Sequence, residues 1–273
     1  MSNHKNLYHD KLREGSLPHF FCSGCGCGQV MNYFLRAANN VGLDFDNLVA
    51  IGGVGCTARI PVYIDADALH GVHGRVLPWA TGIKMHKPEL DVVVFAGDGG
   101  IAAIGGNHFI QAARRNLDVT VIVVNNLNFA MTGGQVSPST PEGMTTSTTP
   151  SGNIEPSFKL DKLAEAAGAS YISRWTTASM TQAIKSMEDA LKHEGFSLVE
   201  IISQCPTHFG RYGLGTGDPK KVIQWIEEKS LNQKKAEKMS EEELSDRFVL
   251  GNFVDRARPT FSGNLLNQKE DCQ

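Results

Sequence analysis

Residues 92–100 read VVVFAGDGG. A continuous run of valines and a phenylalanine is the pattern of a strand buried on both faces, as in a parallel sheet. It stops at Gly97-Asp98-Gly99-Gly100, and residues 104–115, IGGNHFIQAARR, continue with helical spacing. Glycines at a strand-to-helix turn let peptide N–H groups approach a phosphate, and the helix N-terminus adds a favourable dipole. Asp98 can then hold a cation on that phosphate. Alone the signal is weak, because Asp-Gly pairs make turns everywhere. One strand–helix unit later, residues 119–128 read VTVIVVNNLN. Asparagine and backbone carbonyls are hard oxygen ligands suited to Mg²⁺, although Asn125-Asn126 could equally cap a turn. Both runs end on the same carboxyl edge of a parallel sheet, so Asp98 and Asn126 can meet at one cation.

Working outward, Leu48–Ile51 and Leu198–Ile202 read as further buried strands. Residues 28–39, 158–168 and 178–193 read as helices. Strands alternating with helices predict an α/β fold with a doubly wound, mostly parallel sheet. The composition, 41% hydrophobic and 20% charged, excludes a disordered chain. With 26 basic against 29 acidic residues the net charge is −3, so phosphate-driven nucleic-acid binding is disfavoured. The apolar runs are too short for a membrane span, and the first residues carry no signal core, which predicts a cytoplasmic protein. Two domains are expected, 1–218 carrying the chemistry and 219–273 forming a charged helical appendage and tail. That appendage is read as solvated; the alternative is an interface helix with Val222, Trp225 and Ile226 as an apolar stripe. The Ser/Thr/Pro-rich stretch 137–153 is either a mobile surface segment or a functional lid.

Cysteines stand at 22, 25, 27, 56, 205 and 272. Cys22 and Cys25 form a C-x₂-C loop before a helix. Cys56 and Cys205 each follow a strand at its carboxyl end, on the edge that carries Asp98 and Asn126. Four thiolates from three such loops can enclose a [4Fe–4S] cluster. A Cys₄ zinc site is the main rival, and a thioredoxin-like redox pair is a weaker one. Cys27, one residue from Cys25, reads either as a thiol that supports the ligands from behind or as simple packing, and Cys272 reads as a free thiol.

The strand–GDG–helix–strand–NN arrangement resembles the thiamine diphosphate signature. Together, the segments FCSGCGCGQV, GGVGCTARIPVY, HGRVLPWATGIK, GDGGIAAIGGNHFIQAARRN, NNLNFAMTGGQVSPSTPEG and CPTHFGR resemble the beta subunit of 2-oxoacid:ferredoxin oxidoreductases, in order from about Phe20 to Arg211. The loop ending in Glu155 and Pro156 is most similar to the 2-oxoglutarate branch. The resemblance implies the diphosphate-domain fold of thiamine enzymes. It implies Mg²⁺ held by Asp98, the Asn126 side chain and the Asn128 backbone carbonyl, and a [4Fe–4S] cluster on Cys22, Cys25, Cys56 and Cys205. It places Gly55, His73, Gly97, Gly99, Gly100, Met131, Thr132, Gly133 and Gln135 beside thiamine diphosphate. The implied reaction is oxidative decarboxylation of 2-oxoglutarate with coenzyme A, giving succinyl-coenzyme A and CO₂, with electrons leaving through the cluster to ferredoxin or flavodoxin. An alpha subunit is expected to supply the activating glutamate, and the resemblance admits small gamma and delta subunits.

Some positions depart from the pattern or carry rival readings. Phe129-Ala130 stands where the family often has tyrosine and glycine, which removes a hydroxyl near the cofactor. The turn Met131–Gln135 can touch the cofactor or be a plain tight turn, and a lone loop histidine such as His73 is more often structural. Arg59 can face the substrate carboxylates or make a surface salt bridge. Alternative functions are the same chemistry on pyruvate or another 2-oxoacid, a cluster-free thiamine decarboxylase or carboligase subunit, and a zinc-stabilised binding module.

Overall fold

The computed structural model describes residues 8–270, with side chains described as far as residue 265. Cys272 and residues 1–7 lie outside the described residues. The strands are β1 (Leu48–Gly52), β2 (Asp67–His70), β3 (Asp91–Gly97), β4 (Val119–Asn125), β5 (Tyr171–Thr176), β6 (Phe196–Ile202), β7 (Ser230–Asn232) and β8 (Phe248–Asp255). They form one sheet in the order β2-β1-β3-β4-β6-β5-β8-β7. All pairings from β2 to β5 are parallel, β8 runs antiparallel to β5, and β7 is parallel to β8. This is the expected doubly wound, mostly parallel α/β architecture. The strand order reverses between β1 and β3, and such switch points open a crevice at the carboxyl edge.

Alternate residues of the central strands feed two cores. Val93, Phe95, Ile122, Val124, Val199 and Ile201 face one side and pack with the helices Gly26–Val41 and Met180–Lys192. Val92, Val94, Val121, Val123 and Leu198 face the other and pack with the helices Val76–His86, Gly106–Arg115 and Leu160–Ala167. Phe34 meets Phe95 edge-on at 5.0 Å between ring centroids, a geometry that adds about 0.5–1.5 kcal/mol beyond the buried area. Where β1 ends, Gly52 lies so close to the next turn that an added Cβ would stand 2.1 Å from the Ala58 carbonyl oxygen. Neither backbone can yield freely, so Gly52→Ala should lower stability by about 1–3 kcal/mol, read as a fall in the thermal unfolding midpoint.

Three details differ from the sequence reading. The helix expected at 104–115 begins at Gly106 and is preceded by a π-helical turn over Gly99–Ala103. The helix expected at 158–168 is Leu160–Ala167. The region after 219 is neither wholly helical nor solvated. Val222 and Ile226 of the helix Pro219–Lys229 are buried with Leu127, Ile202 and Phe209, so the apolar stripe covers this chain's own site loops. Further on, β8 pairs with β5 and carries β7 on its outer side, extending the main sheet. Among the described residues no helix is long and apolar enough to cross a membrane.

Candidate functional site

The loops leaving β1, β3, β4 and β6 converge on two adjoining cavities. The first, about 100 Å³, is lined by Gly55, Cys56, His73, the Gly97–Gly100 turn, Asn126, Asn128, Phe129, Met131 and Thr132, among others. The second, about 190 Å³, is lined by Cys22, Cys25, Cys56 and Cys205 together with Phe20, Phe21, Asn126, Ala130 and Met131. Cys56, Asn126, Ala130 and Met131 belong to both, so the two spaces share a wall.

Asp98 is the acid of the first cavity. It is 1% exposed, and burial pushes its carboxyl up to about 6, against hydrogen bonds from Ser137, Ser139 and backbone N–H groups. Ser137 Oγ donates to Asp98 Oδ2 at 2.5 Å, and Ser139 Oγ donates to the same oxygen. Both serines thus leave Oδ1 to another partner. Nearby, Asn126 Oδ1, Asn128 Oδ1 and His73 Nδ1 are buried without hydrogen-bond partners. Unpartnered buried polar atoms are uncommon in folded proteins, and a bound ion or ligand is one way to satisfy them. A buried carboxylate beside two free amide oxygens is a donor set suited to a hard divalent cation. Gly99 keeps the turn thin: a Cβ there would stand 2.2 Å from the Phe129 ring. This is a close backbone approach of the kind phosphate binding exploits.

The Ser/Thr/Pro-rich stretch is not a mobile flap. Ser137, Ser139, Thr140, Thr146 and Asn153 are buried in it. Asn153 Nδ2 donates to the Thr140 and Glu155 carbonyls at 2.9 Å each. This pinning brings Ser137 and Ser139 onto Asp98, roles that hydroxyls in a Ser/Thr-rich segment gave no sign of.

The thiols of the second cavity sense one another. Burial first, then Cys25, Cys205 and Cys22, pushes the Cys56 thiol up to about 12. Cys25 is brought down to about 7, chiefly by a hydrogen bond from Cys27. Cys27 is fully buried, with its Sγ 3.9 Å from Thr57 Oγ1. Burial raises Cys205, opposed by the backbone N–H groups of Phe209 and His208. Among the described residues, no three Cys, His, Asp or Glu side chains converge tightly enough for a single metal ion. Four thiols lining one cavity of about 190 Å³ are a donor set of the kind that iron–sulfur clusters and zinc both use.

Other expected site residues stand apart. Arg59 is exposed and lines neither cavity. Gln135 folds back, its Nε2 donating to the Thr132 carbonyl at 2.8 Å, while Thr132 Oγ1 donates to Gln135 Oε1 at 2.6 Å. Gly133 has φ +120°, and Phe129 bridges Gln135, so this stretch is a tight hairpin in which Met131 and Thr132 face the cavity.

Comparison with known proteins agrees with this geometry. The C-terminal TPP binding domain of thiamine pyrophosphate enzymes matches residues 53–201. The 2-oxoglutarate synthase subunit KorB of Methanothermobacter thermautotrophicus is 49% identical over 99% of this chain and 94% of its own length. The KorB subunit of Methanocaldococcus jannaschii is 48% identical over 93% and 94% respectively. The 2-oxoglutarate:ferredoxin oxidoreductase from Magnetococcus marinus, solved with 2-oxoglutarate, coenzyme A and succinyl-CoA bound, superposes with a TM-score of 0.84. It is 29% identical and matches 100% of this chain and 92% of that one. A thiamine pyrophosphate-binding domain spanning the β3 and β4 loops, set in a chain that aligns end to end with these subunits, places the protein among the KorB-type beta subunits of the 2-oxoacid:ferredoxin oxidoreductases.

Proposed function

We propose that the chain is the thiamine diphosphate-binding subunit of an enzyme that oxidatively decarboxylates 2-oxoglutarate with coenzyme A. The products are succinyl-coenzyme A and CO₂, and the electrons pass to ferredoxin or flavodoxin. The observation that carries the reading is the wall shared by the two cavities, one floored by Asp98 and the other ringed by four cysteines. An electron sink and an electron acceptor set side by side are what a redox decarboxylation needs.

Thiamine diphosphate, when bound, supplies a carbon nucleophile and an electron sink. This chain's residues do the holding. Asp98 Oδ1, the Asn126 side chain and the Asn128 carbonyl would take Mg²⁺, while Ser137 and Ser139 keep Asp98 Oδ2 fixed. The Gly97–Gly100 backbone would lie against the diphosphate. Cys22, Cys25, Cys56 and Cys205 would hold a [4Fe–4S] cluster that accepts electrons singly. The five cysteines among the described residues are free thiols, a state that fits a reducing cytoplasm.

Neither cavity is lined by a glutamate, so an alpha subunit is expected to supply the acid that activates the cofactor, and this chain alone should turn nothing over. The test is anaerobic viologen reduction by the chain co-expressed with its partner subunits. Coenzyme A is supplied with 2-oxoglutarate, pyruvate, 2-oxoisovalerate or indolepyruvate in turn. Preference for 2-oxoglutarate is expected. Preference for another oxoacid rejects the substrate, and silence with all four in a complex holding thiamine and iron rejects the electron-transfer reading.

A further inference from the structure

A buried polar chain crosses three neighbouring strands, β4, β6 and β5, beside the loops of the cofactor cavity. Glu200 of β6 is 2% exposed and lies between apolar neighbours, Val199 and Ile201. A charge there is costly unless fully partnered. Its partners are complete: Arg174 Nε donates to Oε2 at 2.8 Å, and Asn125 Nδ2 donates to Oε1 at 2.7 Å. Arg174 of β5 is opposite Glu200 in register and is held from its far side by Asp161 Oδ1, which accepts from Nη2 at 2.6 Å. Asn125 is the last residue of β4. Its Oδ1 accepts from the Leu127 N–H at 3.2 Å.

Leu127 is the point where this chain acts. Its φ is +63°, in the left-handed region that side-chain-bearing residues avoid. Two contacts hold it there, the Asn125 oxygen on its N–H and Thr140 Oγ1, which donates to its carbonyl at 2.7 Å. On either side stand Asn126 and Asn128, whose unpartnered side-chain oxygens belong to the first cavity's lining residues.

We propose that Glu200 is a positioning residue for the thiamine diphosphate site: it fixes the orientation of the Asn125 amide, which locks the left-handed turn at Leu127 and so sets Asn126 and Asn128 toward the cofactor. The logic lies in hydrogen-bond polarity. An ionised carboxylate only accepts. Asn125 must therefore turn its NH₂ to Glu200, and its oxygen is left for the Leu127 N–H. With a neutral amide at position 200, one end still accepts from Arg174 but the other now donates. Either two NH₂ groups face each other, or Asn125 flips and sets its NH₂ against the Leu127 N–H.

The inference rests on the thiamine reading, and its test separates the two. The complex with its partner subunits is stripped of cofactor and titrated with thiamine diphosphate in excess Mg²⁺. Failure of the wild-type complex to bind would overturn the reading itself. In Glu200→Gln the dissociation constant should rise about tenfold or more, the cost of one unsatisfied buried donor. Adding Asn125→Asp to Glu200→Gln restores the polarity. The carboxylate then placed on β4 accepts both from the amide introduced on β6 and from the Leu127 N–H, and binding should return to the wild-type range. If Glu200 merely stabilises the sheet, Glu200→Gln lowers the unfolding midpoint and leaves the dissociation constant unchanged, and the proposal falls. A double variant that binds no better than Glu200→Gln overturns it equally. Should Glu200→Gln not fold, Asn125→Ala keeps the Glu200–Arg174 pair and removes both the acceptor for Leu127 and the donor to Glu200 Oε1. The same loss is expected there, and wild-type affinity would overturn the proposal.

Discussion

Asp98→Ala should purify as a folded chain in its complex but without thiamine diphosphate or Mg²⁺. The carboxylate is buried and pushed up to about 6 by that burial, so in the cofactor-free chain its charge is a burden on the fold. The cation proposed for this site would compensate that charge. Supporting residues around metal ligands are typically worth 10–100-fold in affinity, and a charged ligand itself more, so the loss should exceed about a hundredfold. Asp98→Asn separates charge from volume. It keeps an acceptor for Ser137 and Ser139 and should still lose the metal. Metal analysis and cofactor extraction from the purified complex read the result directly, and normal retention in either variant would remove Asp98 from the site.

Cys205→Ser should strip or destabilise the cluster and stop ferredoxin reduction. Cys205 is buried at the inner side of the second cavity, where no solvent-borne ligand can easily replace it. Burial holds its thiol above the ordinary range, and backbone N–H groups of Phe209 and His208 partly offset that. Serine offers a shorter, harder and less acidic oxygen in the same place, a poor substitute for the thiolates that hold iron–sulfur clusters. Anaerobically purified variant should lose its brown colour and most of its iron per chain, and viologen reduction should fall with it. Cys22 is exposed, so a buried and an exposed candidate ligand can be compared within one cavity. An unchanged iron-to-chain ratio with full activity in Cys205→Ser would exclude it as a ligand.

Most of the sheet was legible because the central strands are buried on both faces and read as unbroken apolar runs. β5 was not legible, and Arg174 is the reason. A buried arginine interrupts the run Tyr171–Thr176, and only the carboxylates of Asp161 and Glu200, distant in sequence, make it tolerable there. β8 was hidden by the charged residues before it, which read as solvated helix. In the site, Asp98, Asn126 and the cysteines were visible because glycines and strand ends mark them. Ser137, Ser139 and Glu200 were not, since hydroxyls in a Ser/Thr-rich loop and one acid in a strand gain meaning only from what folding brings to them. Arg59 and Gln135 carried a family-like context without a cavity-facing position.

The antiparallel strand that covers the edge of β5 also sets an order of events during synthesis. β5 leaves the ribosome more than seventy residues before β8, and until β8 arrives its outer edge presents unpaired N–H and C=O groups. Open edges of this kind invite pairing between chains. The parallel part that carries the cofactor loops can therefore assemble early, while protection from aggregation comes last. A nascent chain stalled before residue 248 would carry every candidate ligand of the site and still be the form most in need of a chaperone.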